Sequence, residues 1–140
     1  MQSLINGNTI THAFRLKPGQ DLLIGMSEFV QERQIEAGFI ITCVGSLTRF
    51  NLRFANQSEG TTDNGYFEIV SLSGTVSKNG NHIHMSISDS DGKTLGGHLL
   101  DDNLIYTTAE IVLGENRDLV FTREKDGTTP WEELIIRTKA

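Results

Sequence analysis

The 140 residues predict a strand-rich domain of the α/β class, in the α+β sense, carrying one main helix. Two patterns and a length carry that prediction. Only the segment from Gln20 or Asp21 to Ala37 places its apolar residues, Leu22, Met26, Phe29 and Val30, at spacings of three and four. Elsewhere apolar residues alternate or cluster in short runs bounded by Gly, Asn, Asp and Ser, which is the signature of strands. A chain of this size forms one domain and buries about two-thirds of its unfolded surface without disulfides or a structural metal.

In chain order, Met1 to Asn8 form a polar lead-in, so the domain proper runs from residue 9 to residue 140. Thr9 to Leu16 alternates Ile10, His12, Phe14 and Leu16 against polar or small residues and reads as a strand, with His12 in a structural role. Lys17-Pro18-Gly19 breaks it. Asp21 offers a side-chain acceptor to the free amides of the helix start, and Gly38 is the expected stop. Phe39 to Val44 is apolar at nearly every position, as expected of a central strand covered on both faces, and Gly45-Ser46 joins it to a strand over Leu47 to Phe54. A polar loop from Gln57 to Asn64 precedes a strand over Tyr66 to Ser77, in which Gly74 marks a bulge. Further strands are expected over Leu104 to Leu113, Leu119 to Arg123 and Glu132 to Arg137. Trp131, after Pro130, is either a lid on the core or an interface anchor.

Asn81 to Leu100 holds three of the four histidines. Ile83, Met85 and Ile87 fall on one face of a strand, and His82, His84, Ser86 and Ser88 on the other. Thr94 to Leu100 returns as its partner. A two-residue Asp-Gly loop would place His98 opposite Met85 on the apolar face. A three-residue Ser90-Asp91-Gly92 loop, a type I turn closed by a left-handed Gly, pairs Ile87 with Leu95, Met85 with Gly97 and His84 with His98. The second register is preferred because it keeps the apolar pairs together, and a one-residue slip would turn them all to the wrong face. His82 and His84 then stand about 6.6 Å apart on one strand face, with His98 across from His84. Three imidazoles with a fourth position open suit zinc or another late first-row ion in a site that serves function. The alternative is three solvated histidines on a half-exposed strand.

Glu110 lies among β-branched residues, and Glu68 within the Tyr66 to Ser77 strand. Each is either a solvent-facing residue of an alternating strand or a partner of the histidines, as ligand, second-sphere orienter or general base. Cys43, the single cysteine, reads as a buried small hydrophobe in a reducing compartment, so a cytoplasmic protein is expected. No apolar stretch is long enough to span a bilayer. The formal charge is −6 and the basic residues are scattered, which disfavours autonomous nucleic-acid binding. Nucleophile-elbow, P-loop and dinucleotide motifs are lacking, which leaves the histidines as the candidate for chemistry.

With these residues laid out, the chain resembles the PPC family, the plant and prokaryote conserved domain. The resemblance rests on H-A-F-R-L-K-P-G-Q-D-L at His12 to Leu22, G-S-L-T-R-F-N-L-R at Gly45 to Arg53, and G-Y-F-E-I-V-S-L-S-G at Gly65 to Gly74. The histidine hairpin and T-T-A-E-I-V at Thr107 to Val112 complete it. It implies a strongly bent, largely antiparallel sheet with one main helix, assembling as a homotrimer. In plants the domain follows an Arg-Gly-Arg-Pro hook that grips DNA. This chain has no such hook, and it carries Tyr66 where the plant domain has Arg. The fold is also similar to that of zinc-dependent acetolactate decarboxylase, which uses an H-x-H and a third histidine. The metal site carries over to His82, His84 and His98; the decarboxylation does not.

Two functions are therefore expected to compete. One is a trimeric binding or regulatory module, partnered by itself and by other proteins or a small molecule. The other is a small zinc-dependent enzyme of lyase or hydrolase type, with Glu110 or Glu68 moving the proton. DNA binding, the family's frequent label, needs a basic face that the charge balance does not advertise.

Overall fold

The computed structural model describes Ser3 and residues 7–140. The lead-in expected over Met1 to Asn8 lies outside the described residues except for Ser3, Gly7 and Asn8. The described elements are β1 (Thr9–Leu16), α1 (Leu22–Glu32), β2 (Gly38–Arg53), β3 (Thr61–Ser77), β4 (Gly80–Ser88), β5 (Thr94–Leu99), β6 (Leu104–Asn116), β7 (Leu119–Glu124) and β8 (Glu133–Thr138). Six strands form one sheet in the order β1-β6-β2-β3-β4-β5, with every neighbouring pair antiparallel. The far edge strand β5 also pairs with β2, Leu52 opposite Leu99 and Arg53 opposite His98. The sheet is therefore bent until β2, β3, β4 and β5 close on one another. The hairpin of β7 and β8 is a separate two-stranded sheet.

The inner face of the bend is the core. Leu47, Leu52, Ile83, Met85, Ile87, Ile105, Ile111 and Leu113 are fully buried there, and the helix adds Leu22, Met26 and Val30. Burying side chains of this kind stabilises by about 1.5–3 kcal/mol each before conformational entropy is subtracted. Asp21 caps α1 through a 2.9 Å bond from the Ile24 amide to its Oδ1.

The helix stops at Glu32, short of the expected Ala37. Gln34 turns left-handed at φ 54°, and the amides of Gln34 and Ile35 bond back to the Gln31 and Val30 carbonyls. Ile35 is thereby swung into the core, where it is fully buried. Burial of that side chain, with no glycine at the turn, ends the helix early. The expected pair of strands around Gly45-Ser46 is one continuous β2, because Gly45 lets β6 approach so closely that a Cβ there would overlap the Thr108 carbonyl. The expectation that Phe39 to Val44 is covered on both faces fails: Ile41 and Val44 are exposed on the outer side. β3 starts at Thr61, inside the expected polar loop, and its irregularity falls between Ile69 and Ser71 instead of at Gly74.

The β4–β5 register is the one expected, with His84 opposite His98, Met85 opposite Gly97 and Ile87 opposite Leu95. Asp89 and Lys93 close the three-residue loop through Asp89 N to Lys93 O at 2.9 Å, and Gly92, at φ 80°, donates to Asp89 O at 3.0 Å. On the other side of β4, Gly74 pairs with Ile83 so tightly that any side chain would collide with the His82 carbonyl. Gly74→Ala is expected to lower stability by about 2 kcal/mol or more, since neither backbone can move without opening the ladder. Equilibrium urea unfolding measures it, and an unchanged midpoint would contradict the packing.

Candidate metal centre

The alternation of β4 sends Ile83, Met85 and Ile87 inward and leaves His82 and His84 outward, both exposed. The neighbouring strand brings half-buried His98 to the same side, across from His84. Ring centroids lie 5.0 Å (His82 to His84), 5.4 Å (His82 to His98) and 5.8 Å (His84 to His98) apart. One ring nitrogen from each lies within 4.8 Å of the others. The Nε2 atoms of His82 and His84 are 3.2 Å apart and share one proton as donor and acceptor.

The donor set fits a tetrahedral transition metal. Bonds of about 2.0–2.1 Å to zinc place neighbouring ligand nitrogens about 3.3–3.4 Å apart, close to the spacing found between His82 and His84. Ligation also needs neutral rings, and the surroundings of His98 and His82 disfavour their charged forms. His98 is held down to about 4, first by burial and then by the Arg53 guanidinium beside it, with smaller effects from His82, His84 and Arg123. His82 is lowered as well, first by burial and then by Arg123 and His84, with Glu133 acting in the opposite sense. Three protein ligands leave room for a fourth from outside the chain.

The walls of the site come from distant parts of the sequence. Arg53 faces His98 because β2 pairs with β5. The β7–β8 hairpin supplies Arg123 and Glu133, and the loop between those strands supplies Trp131. Arg123 is tied down by a 2.7 Å bond from Nη2 to the Thr75 hydroxyl and a 3.2 Å bond from its amide to Asn79 Oδ1. Trp131 is 63% exposed, so it is no lid on the core; it stands over the histidine cleft with the Arg53 guanidinium 5.5 Å from its ring centre. Together with His82 and His98 these residues line a cleft of about 620 Å³.

The predicted glutamates lie elsewhere in the chain. Glu68 is opposite Ser46 and Ser88, so its pairing with β4 is four residues, about 13 Å, from His84. Glu110 is opposite Val44 and Arg15, on strands that do not carry the histidines. Both are exposed on the outer face of the sheet. The carboxylates that do line the histidine cleft are Glu132 and Glu133, and Glu133 Oε1 accepts from the Thr129 hydroxyl at 2.5 Å. Sequence reasoning missed Arg53, Arg123 and Glu133, because their approach depends on β2–β5 pairing and on where the last hairpin docks. His12 has the structural role expected of it: its Nε2 is 2.8 Å from Glu115 Oε2, with Phe29 at its edge. Cys43 is partly buried, and burial, reinforced by Glu110, pushes its thiol up to about 12, so it offers no thiolate ligand at neutral pH.

A bent antiparallel sheet with one helix and three imidazoles gathered on its open side defines a small sheet domain with a potential metal site. The chain belongs to the Plants and Prokaryotes Conserved (PCC) domain family, whose model matches residues 5–117. A protein of Salmonella enterica shares the fold at a TM-score of 0.95, with 38% identity over 97% of this chain and 99% of its own. A metal-containing protein of Archaeoglobus fulgidus superposes at 0.78, with 26% identity over 96% of this chain and 99% of its own. The bifunctional protein GlmU of Synechococcus sp. (strain JA-3-3Ab) is 40% identical over 99% of this chain, which spans 22% of that relative's length. The matched family range ends before β7, so the hairpin that walls the histidines lies beyond it.

The lowered histidines have a measurable consequence. In chelator-treated protein His98 and His82 bind protons less readily folded than unfolded, so the unfolded chain takes up more protons as pH falls below the ordinary histidine value near 6.5. Stability is expected to be intact above that value and to decline as pH drops toward about 4. Urea unfolding across this range measures the slope. His98→Gln should flatten it, and a slope identical to wild type would contradict the assignment.

Proposed function

We propose that the chain is a homotrimeric binding module that holds zinc or another divalent transition ion on His82, His84 and His98. The observation that supports the metal reading is the convergence of three ring nitrogens within 4.8 Å on one open strand face. When bound, such an ion supplies a Lewis-acid centre able to polarise a carbonyl or lower the pKa of water. The chain's own residues orient it: the β4–β5 register aims the rings, and burial beside Arg53 keeps His98 neutral.

The trimer reading is supported by the outer face of the sheet. Val44, Tyr66, Val70 and Tyr106 expose between 45% and 64% of their surface there, and the rings of Tyr66 and Tyr106 lie 5.0 Å apart. Exposed apolar side chains gathered on one sheet face favour association. Glu68 and Glu110 share that face with Arg15, and we assign them to contacts between copies instead of proton transfer.

A second reading, a small metal-dependent enzyme, is favoured by the open cleft next to the histidines, with Glu133 as its carboxylate. Binding of DNA finds less support. The cations that gather, Arg53, Arg123 and Lys125, sit in a cleft with Glu132 and Glu133 in a chain of net charge −6. We place the protein in the cytoplasm on the strength of its free Cys43; no helix among the described residues is long and apolar enough to cross a membrane.

Elemental analysis of protein purified without a His tag is expected to find close to one transition metal per chain, lost in His98→Ala. Metal-free wild-type protein that takes up no ion from added zinc would overturn the metal reading. Sedimentation is expected to give three times the chain mass, falling to the single-chain mass when Tyr66→Glu is combined with Val70→Asp. A wild-type monomer would contradict the trimer.

A further inference from the structure

We infer that Arg53 and Arg123, with Trp131, form an anion subsite beside the three histidines, and that the module's ligand is a small organic acid whose carboxylate sits on Arg53. The inference rests on the metal reading for its second point of attachment and on the arginines and tryptophan for its first.

Four observations carry it. The guanidinium of Arg53 has no hydrogen-bond acceptor among the described residues; it lies against the Trp131 ring at 5.5 Å. A guanidinium held by its face leaves its edge N–H groups free, and that fork matches a planar carboxylate in a way a lysine ammonium does not. Arg53 is also next to the histidines, opposite His98 in the β2–β5 pairing. Arg123 lines the same cleft, and its bond to Thr75 uses Nη2, which leaves its other terminal nitrogen without a partner among the described residues.

The charge balance of the cleft supports the same ligand class. Arg53, Arg123 and Lys125 stand against Glu132 and Glu133, an excess of one positive charge before any divalent ion is added, in a chain that carries −6 overall. Glu133 is itself engaged by Thr129. At about 620 Å³ the cleft suits a small molecule, and the exposed indole offers a flat apolar wall beside the charged fork. A cationic recess in a chain of net charge −6 also focuses small anions toward itself.

Trp131 is the only tryptophan, so its emission reports the subsite directly. The full chain, loaded with Co(II) as a visible-spectrum probe, is titrated with glycolate, inorganic phosphate and the neutral glycolamide. Glycolate is expected to shift both the Trp131 emission and the Co(II) absorption. Phosphate should be weaker, and glycolamide without effect at the same concentration. At about pH 8 and saturating Co(II), where His98 is neutral with or without the guanidinium, Arg53→Gln should weaken glycolate at least tenfold; Arg123→Gln should weaken it less, and Arg53→Lys should restore part of the affinity. Equal binding of glycolate by wild type and Arg53→Gln, equal binding of glycolamide, or no response to glycolate would overturn the subsite. Stronger binding of phosphate than glycolate would overturn the carboxylate assignment. If Co(II) does not load, the metal reading fails separately. The emission titration on metal-free protein then decides the subsite alone: an Arg53-dependent glycolate response upholds it and silence overturns it.

Discussion

One carboxylate oxygen, Oδ1 of Asp89, holds the corner on which the site depends. It accepts the amides of Asp91 and Lys93, each at 2.9 Å, while the Asp89 backbone closes the loop with Lys93 and Gly92. That corner sets β4 against β5 with three residues between them, and the count decides which face every later side chain takes. With one residue fewer, His98 would enter the core opposite Met85 and an apolar residue would leave it. The same register places Ile87 and Leu99 in the core and His84 and His98 outside it. Core packing and imidazole convergence are two consequences of one turn.

Around that hairpin the sheet is bent for a purpose visible in its pairings. β5 returns to β2, which brings Arg53 beside His98, and the last hairpin lays Arg123, Trp131 and Glu133 along the remaining side. Each wall residue is fixed from elsewhere: Arg123 by Thr75 and Asn79, Glu133 by Thr129, Arg53 by the indole. Burial first, and then the cationic walls, disfavour protonation of His82 and His98, so the arrangement that would attract an anion also keeps these two rings available to a metal. These two effects reinforce each other at a single place on an otherwise acidic chain.

Local chemistry was readable from residue order, and long-range placement was not. The alternation of Ile83, Met85 and Ile87 together with the Ser90-Asp91-Gly92 corner suffices for the hairpin register, because both signals lie within twenty residues of each other. Asp21 as a helix cap was equally legible. The early helix end was hidden because Gln34 adopts a left-handed conformation without being glycine, under the pull of Ile35 into the core. Glu68 and Glu110 were drawn to the histidines by residue type alone, and strand order separates them. Arg53, Arg123 and Glu133 carry no local pattern that marks them. The nearest signal was Trp131 after Pro130, which the sequence leaves as a core lid or an interface anchor and the fold exposes over the cleft.

Diffraction from zinc-loaded crystals at the zinc absorption edge tests the account most directly. It predicts one anomalous peak per chain about 2.0–2.1 Å from a ring nitrogen of each of His82, His84 and His98, with Arg53 and Trp131 facing the remaining coordination position. A peak held by only two of these rings, or by carboxylates of the outer sheet face, would contradict it.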